Sequence, residues 1–493
     1  MRDLGRRSDH QRSTAHTAVA AFCICAVAGC TQGPDYQRPT VAVPAAYRSD
    51  DTIPSSSASD TSTWWHAFGD EVLDSLVREC IANNRDLRIA TARVDEFTAI
   101  LAGTRSQGFP QVGYGVSASR QRASERGSVS FPTGVDPVSS SYSTVLSASW
   151  EIDLWGRIRR ETEAARANLL STEEARRGVV LTLVASVVAG YVTLLDLDSR
   201  LQIAEATVAG RKQSVSIFQM RLEGGWVSDF EMSQVLAEYE SAVAAIPELE
   251  KSIAQQEHAL STLLGRNPGP IARGQDLRAL QAPVVPVGLP AELLTRRPDI
   301  LQAEQQLVAS NALIGAARAL YFPRISLTGL GGFASAALES LFAGPARTWS
   351  FAGDVAGPLF TGGGVTAVTH QAEARREQAL AAYELTVQNA FREVEDSLTA
   401  VRSSRKTEAS IARRVETLRR GVALAHERYD NGYSDYLDVL DTERSLFSAE
   451  LSLAAARGDS YRALVNLYRV LGGDWIDQAT SARSSEGVAE QHP

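Results

Sequence analysis

The stretch GWVSDFEM at residues 225–232 recurs without gaps as GYSDYLDV at residues 432–439, and this recurrence decides the fold. In both copies an arginine-led helical pattern precedes the glycine, and a long helical pattern follows it. Upstream, FPQV at 109–112 corresponds to FPRI at 322–325. One unit of helix, strand pair, long helix, turn and helix therefore occurs twice in the chain.

Shifts in composition place the boundaries of these copies. A cluster of five prolines separates the two halves, and a stretch rich in Pro, Ser, Thr and Asp precedes the first. The predicted organisation is a leader at 1–29, an extended tether at 30–63, a first repeat at 64–267 with a β-hairpin at 110–153, a Pro-rich link at 268–290, a second repeat at 291–473 with a β-hairpin at 323–360, and a flexible tail at 474–493.

Each repeat contains two strand-like stretches in which apolar residues alternate with small or polar residues. About ten residues are enough for a tilted strand to cross the hydrocarbon layer, whereas a soluble sandwich remains the alternative for any single hairpin. Four strands cannot close a membrane barrel, and an open edge in lipid leaves unpaired backbone groups. We therefore expect several protomers to share one barrel. The alternating residues are Val112, Tyr114, Val116 and Ala118; Tyr142, Leu146, Trp150 and Ile152; Ile325, Leu327 and Phe333; and Trp349, Phe351 and Val355.

Long helices account for the rest of each repeat. From Trp155 to Leu222 the chain can run as one helix of about 100 Å, at about 1.5 Å per residue. Two such helices joined at a glycine turn predict a long coiled-coil hairpin in each repeat. The run from Val179 to Leu195 carries no charge, which is also typical of a transmembrane helix. Its counterpart in the second repeat carries Glu384, Arg392 and Glu393, so burial against neighbouring helices is the favoured interpretation.

The N-terminus indicates export. Several arginines precede a short apolar run that ends in VAGC at 27–30, which is the layout of a secretory signal. The small residues before Cys30 match a bacterial lipobox, although an ordinary signal peptide with a coincidental cysteine is the alternative. Acylation of Cys30 would add a diacylglycerol and an N-acyl chain. Thr31 stands where the rule for retention in the inner membrane requires Asp, which favours the outer membrane.

Composition excludes several other classes of protein. The net charge of -9 argues against a nucleic-acid partner. Cys23 and Cys25 lie in the leader, so Cys80 is the only thiol left in an acylated mature chain. The histidines are scattered and form no metal-binding spacing, and GGG at 362–364 lacks the lysine of a phosphate loop. We predict no enzymatic activity, no metal and no cofactor other than the lipid.

The chain resembles the TolC-like outer-membrane efflux family, and within it the lipidated, NodT-type branch that serves resistance-nodulation-division pumps. The resemblance implies a homotrimer with a shared twelve-stranded transmembrane β-barrel and a long α-helical periplasmic barrel, a mixed α and β fold. It also implies a periplasmic adaptor and an inner-membrane transporter as partners. The motifs that carry it are GPDY at 33–36, WW at 64–65, WEIDLWGR at 150–157, LPAELL at 289–294, RRPDI at 296–300, AARA at 316–319, PLF at 358–360 and YLDVLD at 436–441.

The same resemblance suggests a gate at the helical tip. Asp438 and Asp441 match the acidic rings of the family, and they lie on one helix face because they are three residues apart. Glu231 falls at a position that in the family bonds to a tyrosine, and Tyr429 falls at the position of that tyrosine. Ser434 departs from the family pattern. An ordinary solvated helix face is the alternative for both aspartates.

These observations favour a passive exit duct for small molecules and drugs, anchored in the outer membrane and extending into the periplasm. The turns at Gly225 and Gly432 are the predicted adaptor-docking surface. Two alternatives remain open at this point. One is a type I secretion duct for polypeptides, and the other is a lipid-anchored periplasmic coiled-coil scaffold that conducts nothing.

Overall fold

A computed structural model describes residues 31–48, 61–126, 134, 136–283, 285, 290–473 and 476. The predicted leader, the acylation site Cys30 and most of the tail lie outside the described residues. The chain divides into two compact units. Unit 1 contains described residues up to 40 together with Val94–Ser171 and Ala303–Tyr383, and unit 2 contains the remainder.

The same order of elements occurs twice. The first copy consists of α1 (Glu71–Asn83), α2 (Arg85–Ser106), β1 (Gln111–Arg122), β2 (Val138–Ile152), α3 (Arg157–Glu223) and α4 (Asp229–Leu263). The second consists of α5 (Leu293–Arg296), α6 (Pro298–Ala319), β3 (Arg324–Ser335), β4 (Arg347–Ala356), α7 (Gly364–Asp430) and α8 (Tyr436–Leu471). Helices α3 and α7 both contain 67 residues. Positions 207 residues apart are therefore equivalent, as the helix starts Arg157 and Gly364 show. The mixed fold with an internal repeat agrees with the prediction.

The four strands of unit 1 form one antiparallel sheet in the order β1-β2-β3-β4. Tyr114 pairs with Leu146, Ala148 with Gly329 and Gly331 with Trp349. The apolar side chains on this sheet stay exposed within the chain, as Tyr114 and Phe351 illustrate. Among the described residues, β1 and β4 each have a strand on one side only. The sheet thus has two open edges and an uncovered apolar surface.

Unit 2 contains the main hydrophobic core. Trp64 stacks on Tyr468 with 4.6 Å between ring centroids. The uncharged run 179–195 of α3 packs into this core, and Val184, Val188 and Leu194 have no exposed surface. Its apolar composition therefore serves burial among helices, although helix α3 as a whole is long and apolar enough to cross a membrane by length and composition.

Cys80 lies in this core on α1 and is fully buried. Burial raises the pKa of its thiol to about 12, because the thiolate would lose its hydration. At pH 8 the group is therefore neutral, and we expect the folded protein to resist maleimide at Cys80. Labelling should become complete in denaturant. Mass spectrometry after a timed pulse measures both states, and rapid labelling of the folded chain would contradict the burial of this thiol.

Candidate functional site

The two hairpin turns in unit 2 are built in the same way. After α3, the amide of Trp226 donates to the carbonyl of Arg221 at 2.8 Å, and Gly225 has φ of 72°. After α7, the amide of Tyr433 donates to the carbonyl of Arg428 at 2.8 Å, and Gly432 has φ of 73°. Residues with a side chain rarely adopt this φ, so glycine ends each helix and reverses the chain.

The helices that follow the turns begin differently. Ser228 and Glu231 form a capping box at the start of α4, in which the Glu231 carboxylate accepts from the Ser228 amide at 2.8 Å. These hydrogen bonds lower the pKa of Glu231, so it is ionised at neutral pH. At the start of α8, Asp435 is the N-cap residue, but its side chain makes no capping hydrogen bond.

Three aromatic side chains connect the hairpins next to the turns. Phe218 of α3 lies 4.2 Å from Tyr436 of α8, measured between ring centroids. Tyr429 of α7 lies 4.9 Å from Tyr436 by the same measure. Phe218 and Tyr436 are buried, and burial raises the pKa of the Tyr436 hydroxyl. This aromatic cluster holds the end of hairpin α3–α4 against the end of hairpin α7–α8.

Arg221 adds a polar link to the aromatic cluster. Its Nη1 donates a hydrogen bond of 2.7 Å to the hydroxyl of Tyr429. Its guanidinium also lies 5.6 Å from the ring centroids of both Phe218 and Tyr429, which is within cation–π distance. Arg221 was not among the residues predicted from the sequence. The signal that could have identified it is the arginine that precedes the glycine in both repeats.

The predicted gate residues therefore have different environments. Within the protomer, the Tyr429 hydroxyl accepts a hydrogen bond from Arg221. The Glu231 carboxylate instead accepts one from Ser228, the N-cap residue of α4. Asp438 and Asp441 lie exposed on one face of α8, as their spacing predicted. Asp441 forms an ion pair with Arg444, one turn further along α8.

Large apolar side chains project from both turns. Trp226 is 84% exposed and Phe230 is 70% exposed beside the first turn. The equivalent Tyr433 and Leu437 are also exposed beside the second turn. Isolated exposed apolar residues need no explanation, but a matching pair at both turns forms a patch suited to a protein partner. No cluster of metal-binding side chains occurs in the part of the chain that the structure describes.

Residues just after Cys30 are held firmly against unit 1. The amide of Gln32 donates to the carbonyl of Trp155 at 3.2 Å, next to the end of β2. Arg160 is buried, and it donates to the carbonyl of Gln32 at 3.0 Å and to Asp35 at 2.8 Å. The chain that follows the predicted acylation site is thus fixed at the junction of β2 and α3.

Comparison with known proteins agrees with this architecture. The profile described as "Outer membrane efflux protein" matches residues 76–266 and 289–473. The chain belongs to the outer membrane efflux protein family. It is 35% identical over 483 residues to the toluene efflux pump outer membrane protein TtgC of Pseudomonas putida, covering 97% of this chain and 99% of that one.

Two further members of the outer membrane efflux protein family support the assignment. The cation efflux system protein CusC of Escherichia coli K12 is 35% identical, with 92% of this chain and 98% of that protein covered. The outer-membrane channel OprN has a solved structure that matches with a TM-score of 0.84 at 32% identity, covering 91% of this chain and all of that chain. This protein is therefore an outer-membrane channel that serves as the exit duct of a tripartite efflux pump, as the sequence predicted.

Proposed function

We propose that three copies of this chain form a passive duct, with a shared barrel of twelve strands and a tunnel of long helices. The observation that carries this proposal is the open sheet of unit 1. Its two free edges would each need a strand from another copy, since an unpaired backbone group in lipid costs several kcal/mol. Its exposed apolar side chains would then face the lipid.

The Cys30 lipid would anchor this duct to the outer membrane. The fixed position of Gln32 beside Trp155 supports this role, because it keeps the acylated end close to the strands that enter the membrane. Buried Arg160 would hold the anchor segment in place through its bonds to Gln32 and Asp35. The lipid would be the only non-protein group of the duct.

The apolar patches at the turns would receive a periplasmic adaptor. Trp226 and Phe230 at the first turn, and Tyr433 and Leu437 at the second, offer the type of exposed apolar surface that protein interfaces bury. Glycines 225 and 432 would present them by reversing the chain. The adaptor would connect the duct to an inner-membrane transporter of the resistance-nodulation-division class, which would supply energy and substrate selection for drugs and other small molecules.

Asp438 and Asp441 would form the selectivity element of the gate. Their exposed face on α8 would bring three copies of each carboxylate towards the symmetry axis. Rings of carboxylates attract cations and bind divalent ions. Tyr429 would contribute by holding the hairpins together through Arg221, and Glu231 by fixing the start of α4.

Single-channel conductance in planar bilayers tests the duct and its acidic ring. For Asp438→Ala/Asp441→Ala we expect the cation preference and the block by divalent ions to weaken, because six carboxylates leave the constriction. Glu416→Ala/Glu427→Ala is the matched control, since both of these carboxylates are exposed on α7. It should keep the native preference.

The possible outcomes separate the parts of the proposal. Unchanged selectivity in the Asp438→Ala/Asp441→Ala variant would keep the duct but remove these residues from its gate. Absence of channels from verified trimers would contradict conduction and favour the scaffold alternative.

A further inference from the structure

A groove in unit 1 lies where the sheet meets the long helices. It consists of two adjoining cavities of about 290 and 420 Å³, which share Arg157, Leu320 and Arg324 as lining residues. The smaller cavity extends between α3, α6 and α7, and the larger one lies along the adjacent ends of β2, β3 and β4. Cavities of this size hold small organic molecules. We call the two cavities together the junction groove.

Three arginines line the junction groove, and two of them lack a counter-charge. Arg157 is neutralised, because its guanidinium forms ion pairs with the carboxylates of Glu151 at 3.0 Å and Glu161 at 2.9 Å. Arg324 and Arg375 are exposed, and neither forms an ion pair with another of the described residues. The junction groove therefore carries an excess of positive charge.

Two further carboxylates near the junction groove leave this excess in place. Asp153 lines the larger cavity, but it accepts hydrogen bonds from the backbone amides of Ile158 and Arg159, and it lies 3.5 Å from the Arg159 guanidinium. Asp354 on β4 is exposed and forms no ion pair within the described ranges. Each chain thus offers two guanidinium groups to an anion.

Apolar side chains line the same cavities as these arginines. A guanidinium presents a planar fork of N–H donors that suits carboxylates and similar oxyanions. The neighbouring apolar surface suits a hydrocarbon or aromatic body. The combination is therefore matched to an amphiphilic anion. The apolar lining residues are Leu313, Leu320 and Val368 in the smaller cavity, and Leu154, Trp155 and Phe322 in the larger one.

The internal repeat shows that the two unpaired arginines are not a requirement of the fold. Because FPRI at 322–325 corresponds to FPQV at 109–112, Gln111 is the counterpart of Arg324. On the long helices, where equivalent positions are 207 residues apart, Asn168 is the counterpart of Arg375. Both counterparts are neutral amides. The same architecture is thus built without cations at these positions, so the charges of the second repeat call for another explanation, which ligand binding supplies.

The junction groove opens on the polar side of the sheet. Side chains alternate along a strand and paired residues share a side, so Arg324 and Glu151 lie on the same side as Ser326. The apolar residues Ile325 and Leu327 lie on the opposite side. In the proposed barrel the apolar side faces lipid. The junction groove therefore opens into the lumen of the duct.

The segment that follows the predicted acylation site packs on another side of α6. The side-chain amide of Asn311 donates a hydrogen bond to the carbonyl of Pro34 at 2.9 Å. At about 100° per residue, Leu313 and Leu320 lie roughly 160° to 180° around the helix axis from Asn311. The N-terminal segment therefore leaves the junction groove uncovered.

We propose that the junction groove binds an amphiphilic anion that passes through the duct, which is a carboxylate or sulfonate with an apolar body. The proposal rests on the proposed barrel for the direction in which the groove opens. Arg324 and Arg375 bind the anionic group, and Leu313 and Val368 contact the apolar body. Each chain carries one complete groove, because all of the lining residues belong to unit 1.

Isothermal titration calorimetry with naphthalene-2-sulfonate tests this site on trimers in phosphatidylcholine nanodiscs. We expect one site per chain, and binding weaker by roughly tenfold or more for Arg324→Gln/Arg375→Gln, since the anion loses both charged donors. Arg105→Gln/Arg166→Gln is the matched control, because both arginines are exposed in unit 1, line neither cavity and remove the same charge. It should bind like the native chain.

A neutral probe tests the charge without any substitution. Naphthalene-2-sulfonamide should bind the native chain more weakly than the sulfonate does. Equal binding of the two probes, or equal binding of the sulfonate by the native chain and Arg324→Gln/Arg375→Gln, would overturn the proposal. If phosphatidylglycerol in the nanodiscs displaces the sulfonate, the ligand is a lipid phosphate, and the assignment to a solute in the duct is wrong.

Cysteine modification during single-channel recording tests the position in the lumen. In a Cys80→Ala background, the anionic reagent (2-sulfonatoethyl) methanethiosulfonate should change the current of Arg324→Cys in discrete steps, because each modification adds a negative charge to the lumen wall. Arg166→Cys is the control and should show no step, since Arg166 lies about 180° around α3 from Arg157. Unchanged current in Arg324→Cys with labelling confirmed by mass spectrometry would overturn the lumenal position.

The two measurements also separate this proposal from the proposed barrel. The lining residues come from one chain, so the calorimetric result does not depend on conduction. A chain that binds naphthalene-2-sulfonate but forms no channels would contradict the barrel. Channels that conduct but show no difference between the sulfonate and the sulfonamide would overturn the anion site and keep the duct.

Discussion

Asp70→Ala is expected to destabilise the folded chain by about 3 kcal/mol or more, because one buried carboxylate organises three segments of unit 2. Its Oδ1 accepts from the amides of Val72 and Leu73, at 2.9 and 3.2 Å, and so caps α1. Its Oδ2 accepts a hydrogen bond from the Tyr191 hydroxyl at 2.9 Å and another from the backbone amide of Gln275 at 3.0 Å. With only 1% of Asp70 exposed, water cannot replace these bonds.

Thermal unfolding followed by circular dichroism measures this loss. The apparent Tm of Asp70→Ala should fall by about 5 °C or more. Glu96→Ala is the control, because Glu96 is exposed in the middle of α2 and should melt like the native chain. Asp70→Asn keeps one acceptor oxygen for the cap and should fall between the two. An Asp70→Ala variant that melts like the control would contradict the role assigned to this carboxylate.

Arg221→Ala is expected to open the duct. The substitution removes a hydrogen bond to Tyr429 and two cation–π contacts, which together stabilise the joined hairpins by about 2 kcal/mol per protomer. The open population should then rise by roughly tenfold or more, since about 1.4 kcal/mol corresponds to a factor of ten. Single-channel recordings of the trimer would show longer and more frequent open periods.

Two further variants make the Arg221 experiment specific. Tyr429→Phe removes the hydroxyl that accepts the hydrogen bond but keeps the ring, so its effect should be smaller than that of Arg221→Ala. Lys212→Ala removes an exposed positive charge from the same helix and should gate like the native chain. If all three variants open equally often, the link between Arg221 and Tyr429 does not hold the duct closed.

The turns show where the sequence was sufficient. Glycines 225 and 432 were identified because a helix that reverses direction needs a residue at positive φ, and this requirement is local. Ser228 followed three residues later by Glu231 forms a capping box for the same kind of reason. Turns and helix caps of this kind can be recognised in a sequence because the residues that form them lie within a few positions of each other.

The partners of Tyr429 show where the sequence was insufficient. The resemblance suggested Glu231 as the hydrogen-bond partner of Tyr429. In the structure the Tyr429 hydroxyl accepts a hydrogen bond from Arg221, which lies 208 residues from Tyr429 along the chain. Asp70 is similar, since Tyr191 and Gln275 reach it from distant segments. Spacing in the sequence does not encode such contacts, because they depend on how the helices pack.

The sequence by itself determined the repeat, the alternating strands, the long helices and the class of protein. The repeat, the strands and the long helices follow from periodicity, which each segment carries independently of the others. The class of protein follows from the motifs by which the chain resembles the outer-membrane efflux family. The sequence favoured burial of the uncharged run of α3, and the structure confirmed it. The tertiary structure alone decided that Arg221 joins the hairpins and that Asp70 links three segments of unit 2. The physical reason is that burial and pairing are properties of two surfaces together, and they become defined only when the helices meet.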